Sequence, residues 1–66
     1  MSVVKIIEVV GTSQECWCDA AEEALKGAKE TLHGIRGLEV VSQTAKVREN
    51  KIIEYRSTVK VAFEVD

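Results

Sequence analysis

Between Gln14 and His33 the residues Trp17, Ala20, Ala21, Ala24, Leu25, Ala28 and Leu32 recur at three- and four-residue intervals, a period that predicts one amphipathic helix. Asp19, Glu22, Glu23, Lys26, Lys29, Glu30 and His33 fall opposite this stripe, and Glu22 precedes Lys26 in the favoured order for an ion pair. The stripe is rich in alanine, so the helix axis can come close to whatever it covers. The rest of the chain reads as extended. A single helix must therefore cover a sheet, and it can cover only one of the two faces.

Val3 to Val10 is rich in β-branched residues and carries Lys5 on one face and Glu8 on the other, so both faces are mostly apolar. Strands buried on both sides have this pattern. Gly11-Thr12-Ser13 is expected to end the strand, with Thr12 and Glu15 at capping-box spacing and Ser13 as the competing cap. Gly34, just past the stripe, is the expected helix C′ residue. From Leu38 to Val47 the alternation is imperfect, with Val41, Ala45 and Val47 on the same parity as Glu39 and Gln43. Arg48-Glu49-Asn50-Lys51 predicts a hairpin in which Asn50 takes the left-handed conformation. From Ile52 to Val65 alternation returns, with Ile53, Tyr55, Val59, Val61, Phe63 and Val65 on one face and Glu54, Arg56, Thr58, Lys60 and Glu64 on the other.

The expected fold is α+β: one β-α-β-β domain over residues 1–66, a three-stranded antiparallel sheet with one helix. A 66-residue chain buries little surface per residue and needs disulfides, metal or assembly to supplement its core. Cys16 and Cys18 are the only cysteines; placed on a helix, they would project about 200° apart, too far for a disulfide or a shared metal. Assembly into a homo-oligomer remains, and it would also hide the second sheet face and the long last strand.

The net charge is −2 with both signs interspersed, so no basic field is available for nucleic acid or an anionic membrane. Met1-Ser2-Val3-Val4-Lys5 lacks the features of a signal peptide, and no apolar run reaches membrane-spanning length. A cytoplasmic location is the expectation. Catalytic groups are few. His33, the one histidine, falls on the polar helix face and pairs with no nucleophile. The carboxylates match no calcium-loop spacing, and the glycines Gly11, Gly27, Gly34 and Gly37 are too scattered to cradle phosphate. Trp17, on the stripe, reads as a packing anchor. A non-enzymatic role is expected.

Several segments in this order resemble the dodecins: Gly11-Thr12-Ser13 opening the helix, Ala20 within the alanine-rich stripe, Thr31-Leu32 near its end, Glu39-Val40-Val41, and Tyr55 with Val59-Lys60-Val61-Ala62-Phe63. The resemblance spans essentially the whole chain. It implies a hollow homododecamer with helices outside and sheets wrapped around them. It also implies a flavin-storage role in which paired flavins stack on a tryptophan that follows the helix and meet a glutamine that follows the last-strand tyrosine. Here those positions carry Gly37 and Arg56. The ligand-binding residues implied are Gly37, Leu38, Lys46 and Arg56. The ligand would be FMN or riboflavin, held more weakly for want of the aromatic platform. The alternative is a flavin-free shell taking up a divalent cation, calcium or magnesium, where symmetry brings carboxylates or carbonyls together.

Overall fold

The computed structural model describes residues 3–65, in the order β1 (Val3–Ser13), α1 (Trp17–Lys29), β2 (Ile35–Arg48) and β3 (Lys51–Val65). Met1-Ser2, part of the reading against a signal peptide, lies outside these residues. The strands form one antiparallel sheet of order β1-β3-β2, so the strand with the cleanest alternation is the central one. α1 lies across β1 and β3 and barely touches β2.

The buried core is small: Ala20, Ala24 and Ala28 of the helix against Val59 and Val61 of β3, bordered by Ile7, Val9, Ala21, Leu32 and Ile35. Alanine allows the close approach, and Gly11 completes it. A Cβ at Gly11 would collide with the Ala20 carbonyl and lie 2.6 Å from the Ala24 amide nitrogen. β1 therefore does not stop before Gly11. It runs to Ser13, paired with Tyr55, because a residue without a side chain lets the strand pass beneath the helix.

The helix start also differs from the expectation. Cys16 is the N-cap, extended at φ −168°, and its Sγ accepts from the Asp19 amide at 3.2 Å. Ser13, the competing cap in the sequence, instead accepts from the Glu15 amide at 2.9 Å and donates to Asp19 Oδ2 at 2.7 Å. The capping box of Thr12 with Glu15 is thus replaced by a turn that carries the chain over the strand end. The helix stops at Lys29 with Glu30 as its cap. Gly34 does take positive φ, at 69°, but in the connection to β2, where its carbonyl accepts from the Glu64 amide at 3.0 Å.

A register shift between Val40 and Ser42 makes Val41 an extra residue in β2. The bulge reverses parity: Leu38 and Val40, opposite Val61 and Val59, share the helix-side face with Gln43 and Ala45, opposite Ser57 and Tyr55. The broken alternation read in the sequence is this bulge. At the hairpin Glu49 and Asn50 both have positive φ, 52° and 64°, the signature of a two-residue type I′ turn.

The 13-residue helix spans about 20 Å, whereas the 15-residue β3 spans about 50 Å. The hairpin outruns its cover, and the subunit measures 52 × 19 × 13 Å with a radius of gyration of 13.5 Å, against about 11 Å for a compact domain of this length. Val47 at the hairpin end is 61% exposed, and Ile6 and Val10 on the face away from the helix are 62% and 58% exposed.

Candidate functional site

Cross-strand register lays out the uncovered face in rows. From one end they are Ile6-Ala62-Gly37, Glu8-Lys60-Glu39, Val10-Thr58-Ser42 and Thr12-Arg56-Thr44, with Lys46 opposite Glu54 beyond them. Ile6 and Val10 of β1 thus flank a charged row, Glu8-Lys60-Glu39, that crosses all three strands, and further charges, Arg56, Glu54 and Lys46, lie toward the hairpin end.

Gly37 sits at one end of this face without positive φ, and an added Cβ would meet nothing within 4 Å. Backbone conformation does not demand a glycine there, and the position is open. Lys46 and Arg56 lie at the other end. Arg56 Nε donates to Glu54 Oε2 at 2.8 Å, and both side chains are partly exposed; Lys46 stands opposite the same Glu54. Leu38, opposite Val61, lies on the helix-side face and is 38% exposed because α1 scarcely reaches β2. The four residues of the sequence reading therefore do not converge within one chain. Nine residues of strand, about 30 Å, separate Gly37 from Lys46.

Trp17 ties the hairpin to the helix. Its Nε1 donates to the Thr44 carbonyl at 2.8 Å, its own carbonyl accepts from Ser57 Oγ at 2.8 Å, and its ring meets Tyr55 edge to face. It is half-buried, a packing residue as expected but at the rim of the core, with its polar edge satisfied.

One feature of the surface was not anticipated from the sequence. Thr12, Ser13, Gln14, Glu15, Asp19, Glu23 and Glu54 line an open concavity of about 400 Å³ where β1 turns into α1. The signal was the four-residue spacing of Glu15, Asp19 and Glu23, and Glu54 joins them through the sheet. A neighbouring hollow of about 420 Å³ runs along the helix, lined by Asp19, Glu22, Glu23, Leu25, Lys26 and Lys29. Among the described residues no three His, Cys, Asp or Glu side chains come close enough to hold one metal ion. The acidic concavity is thus a region of negative potential rather than a preformed chelate. Glu22 and Lys26 line the hollow without closing an ion pair; the pairs among the described residues are Arg36 with Glu64 at 3.1 Å and Arg56 with Glu54.

Cys16 and Cys18 are both free, Cys18 exposed and Cys16 partly covered. The neighbouring Cys16 side chain, with a smaller contribution from desolvation, pushes the Cys18 thiol above its ordinary value. His33 is exposed.

The family model described as Dodecin matches residues 3–66. The chain is 37% identical over 65 residues to the calcium dodecin of Mycobacterium tuberculosis (strain ATCC 25618 / H37Rv), covering 98% of this chain and 92% of that protein. Among solved structures it is similar to the dodecin from Streptomyces davaonensis, with a TM-score of 0.94 at 29% identity over 98% of this chain and 96% of that one. It is also similar to an arginine-to-alanine variant of the Thermus thermophilus dodecin, with a TM-score of 0.95 at 32% identity over 100% of this chain and 98% of that one. With sequence and fold matched from the first strand to the last, the chain belongs to the dodecin family.

Proposed function

We propose that this chain is a non-catalytic, ligand-storing subunit of a homododecameric shell, and that its ligand sits between copies rather than within one. The observation that carries this reading is the separation of Gly37 from Lys46 and Arg56 along a single uncovered face. A planar ligand far shorter than 30 Å reaches both ends only when two faces meet. The exposed apolar border of Ile6 and Val10 supplies surface for that meeting. Flavin, as FMN or riboflavin, is the proposed ligand, held weakly: an aromatic platform contributes on the order of 1 to 3 kcal/mol per stacked ring, and Gly37 offers none. Arg56 and Lys46 are cations suited to a phosphate or carboxylate, although Arg56 must share its guanidinium with Glu54.

A second reading is favoured by the relative named calcium dodecin and by the acidic concavity around Glu15, Asp19, Glu23 and Glu54. In it the shell takes up calcium or another divalent cation, with ligands completed by a neighbouring subunit. Sedimentation, absorbance and elemental analysis of the purified protein test both readings. The first predicts a dodecamer that binds added FMN with micromolar or weaker affinity. The second predicts a dodecamer carrying calcium and indifferent to FMN. A stable folded monomer at micromolar concentration would overturn both.

A further inference from the structure

At the hairpin end the register shifts again, between Lys46 and Val47, and leaves Ile53 as an extra residue in β3. Strand parity alone would set Lys51 on the face of Ile53 and Tyr55. The bulge reverses it, so that Arg48 and Lys51, paired across the strands, join Lys46 on the face that carries Glu54 and Arg56. Cations separated along the chain by Val47, Glu49 and Asn50 are thereby gathered at one end of the uncovered face. Lys46, Arg48 and Lys51 are all exposed, and none of them closes an ion pair among the described residues. Glu54 stands opposite Lys46 but is engaged by Arg56, and Glu49 lies in the turn itself.

Two features set this patch apart from an ordinary solvated surface. Like charges directly opposite each other destabilise a strand pair, yet Arg48 faces Lys51 at the pair that closes the hairpin. The concentration also runs against the chain as a whole, which has 11 acidic and 9 basic residues and a net charge of −2. A local cost kept without a structural return points to a ligand that neutralises it.

We propose that Lys46, Arg48 and Lys51 form a binding site for a diphosphate-bearing anion. Their Cα atoms, on adjacent cross-strand positions, are about 5 to 7 Å apart, and three long side chains can converge on one ligand. A carboxylate or a single phosphate engages fewer of these donors, whereas a diphosphate carries charge enough for all three. Free pyrophosphate and the diphosphate of a nucleotide share this chemistry. The site needs no flavin, and its occupancy is separate from the storage reading.

The test titrates the assembled, flavin-free protein with inorganic pyrophosphate, orthophosphate and ADP by calorimetry at low and high salt, with sedimentation run alongside. The expected result is saturable pyrophosphate binding that weakens as salt rises, with orthophosphate roughly tenfold weaker. Equal or weaker binding of ADP assigns free pyrophosphate as the ligand, and tighter binding assigns a nucleotide. Arg48→Gln and Lys51→Gln should each lower pyrophosphate affinity roughly tenfold and raise Tm by removing the repulsion between them, while Lys26→Gln on the helix should leave affinity unchanged. No binding at millimolar pyrophosphate would overturn the proposal. So would binding that neither hairpin substitution weakens, which would mark an adventitious ion only, or dissociation of the assembly by either one, which would assign these cations to contact between copies.

Discussion

The rings of Trp17 and Tyr55 meet edge to face with centroids 4.8 Å apart and planes inclined at 79°. The contact joins the first residue of the helix to the part of β3 that lies beyond the core, and so couples helix and hairpin. Aromatic pairs in this geometry add about 0.5 to 1.5 kcal/mol beyond their buried area. Trp17→Ala removes the pair and the bond to Thr44 together. Full burial would make such a truncation worth about 3 to 5 kcal/mol; for a half-buried ring the expected loss is about 2 to 3 kcal/mol. Trp17→Phe keeps a ring and loses chiefly the hydrogen bond, about 1 kcal/mol. Urea denaturation of both variants checks the order, and equal losses would show that the ring contributes nothing.

Gly11 and Gly27 respond oppositely to alanine. A Cβ at Gly11 meets helix backbone, which cannot swing aside, whereas one at Gly27 meets nothing within 4 Å. Gly11→Ala should destabilise by about 3 kcal/mol or more. Gly27→Ala lies within the helix and should stabilise by about 0.5 to 1 kcal/mol. Thermal melts at one fixed protein concentration measure both, and a Gly11→Ala protein as stable as the parent would refute the close approach of β1 and α1.

Glu49 is an unfavourable residue for the conformation it holds. Left-handed backbone costs an L-residue roughly 1 to 2 kcal/mol, and Asn tolerates it better, as Asn50 does beside it. Glu49→Asn should therefore raise Tm by several degrees, the shift expected from about 1 kcal/mol in a domain this small. An unchanged or lower Tm would mean that the turn is not of type I′.

The fold was legible where periodicity was long and clean. Ala20, Ala24 and Ala28 marked the helix face, Val59 and Val61 the strand beneath it, and Asn50 the hairpin. Element ends were less so, for identifiable reasons. Ser13 resembles a cap, yet a strand continuing through Gly11 takes Ser13 past the helix, and a cysteine, a weak acceptor, caps instead. Val41 belongs to neither face because a bulge leaves no periodic trace except the polar residues that seemed misplaced around it. Sheet order is set by which strand meets both neighbours, and no single strand's pattern states that. Of the candidate site, the placement of Gly37, Lys46 and Arg56 on one face follows from strand parity and the bulge. The acidic concavity does not, since Glu54 reaches Glu15 and Asp19 only through the paired register of β1 and β3.

Gly37 is the position at which the flavin reading can be tested most directly. Were the glycine required by its backbone, any larger residue would disturb β2 and the outcome would report on folding. The structure removes that objection, because Gly37 has no positive φ and space for a side chain. Gly37→Trp should fold and assemble as the parent does while restoring an aromatic platform on the uncovered face. Flavin affinity, measured by titration of FMN fluorescence, should rise roughly ten- to a hundredfold, with emission quenched by the stacked indole. Arg56→Gln in the same background separates the remaining contribution. If Arg56 clamps the flavin, affinity falls back. If it is held away by Glu54, affinity holds or rises. Normal assembly of Gly37→Trp with no gain in flavin binding would remove flavin as the stored ligand and leave the divalent cation as the reading to pursue.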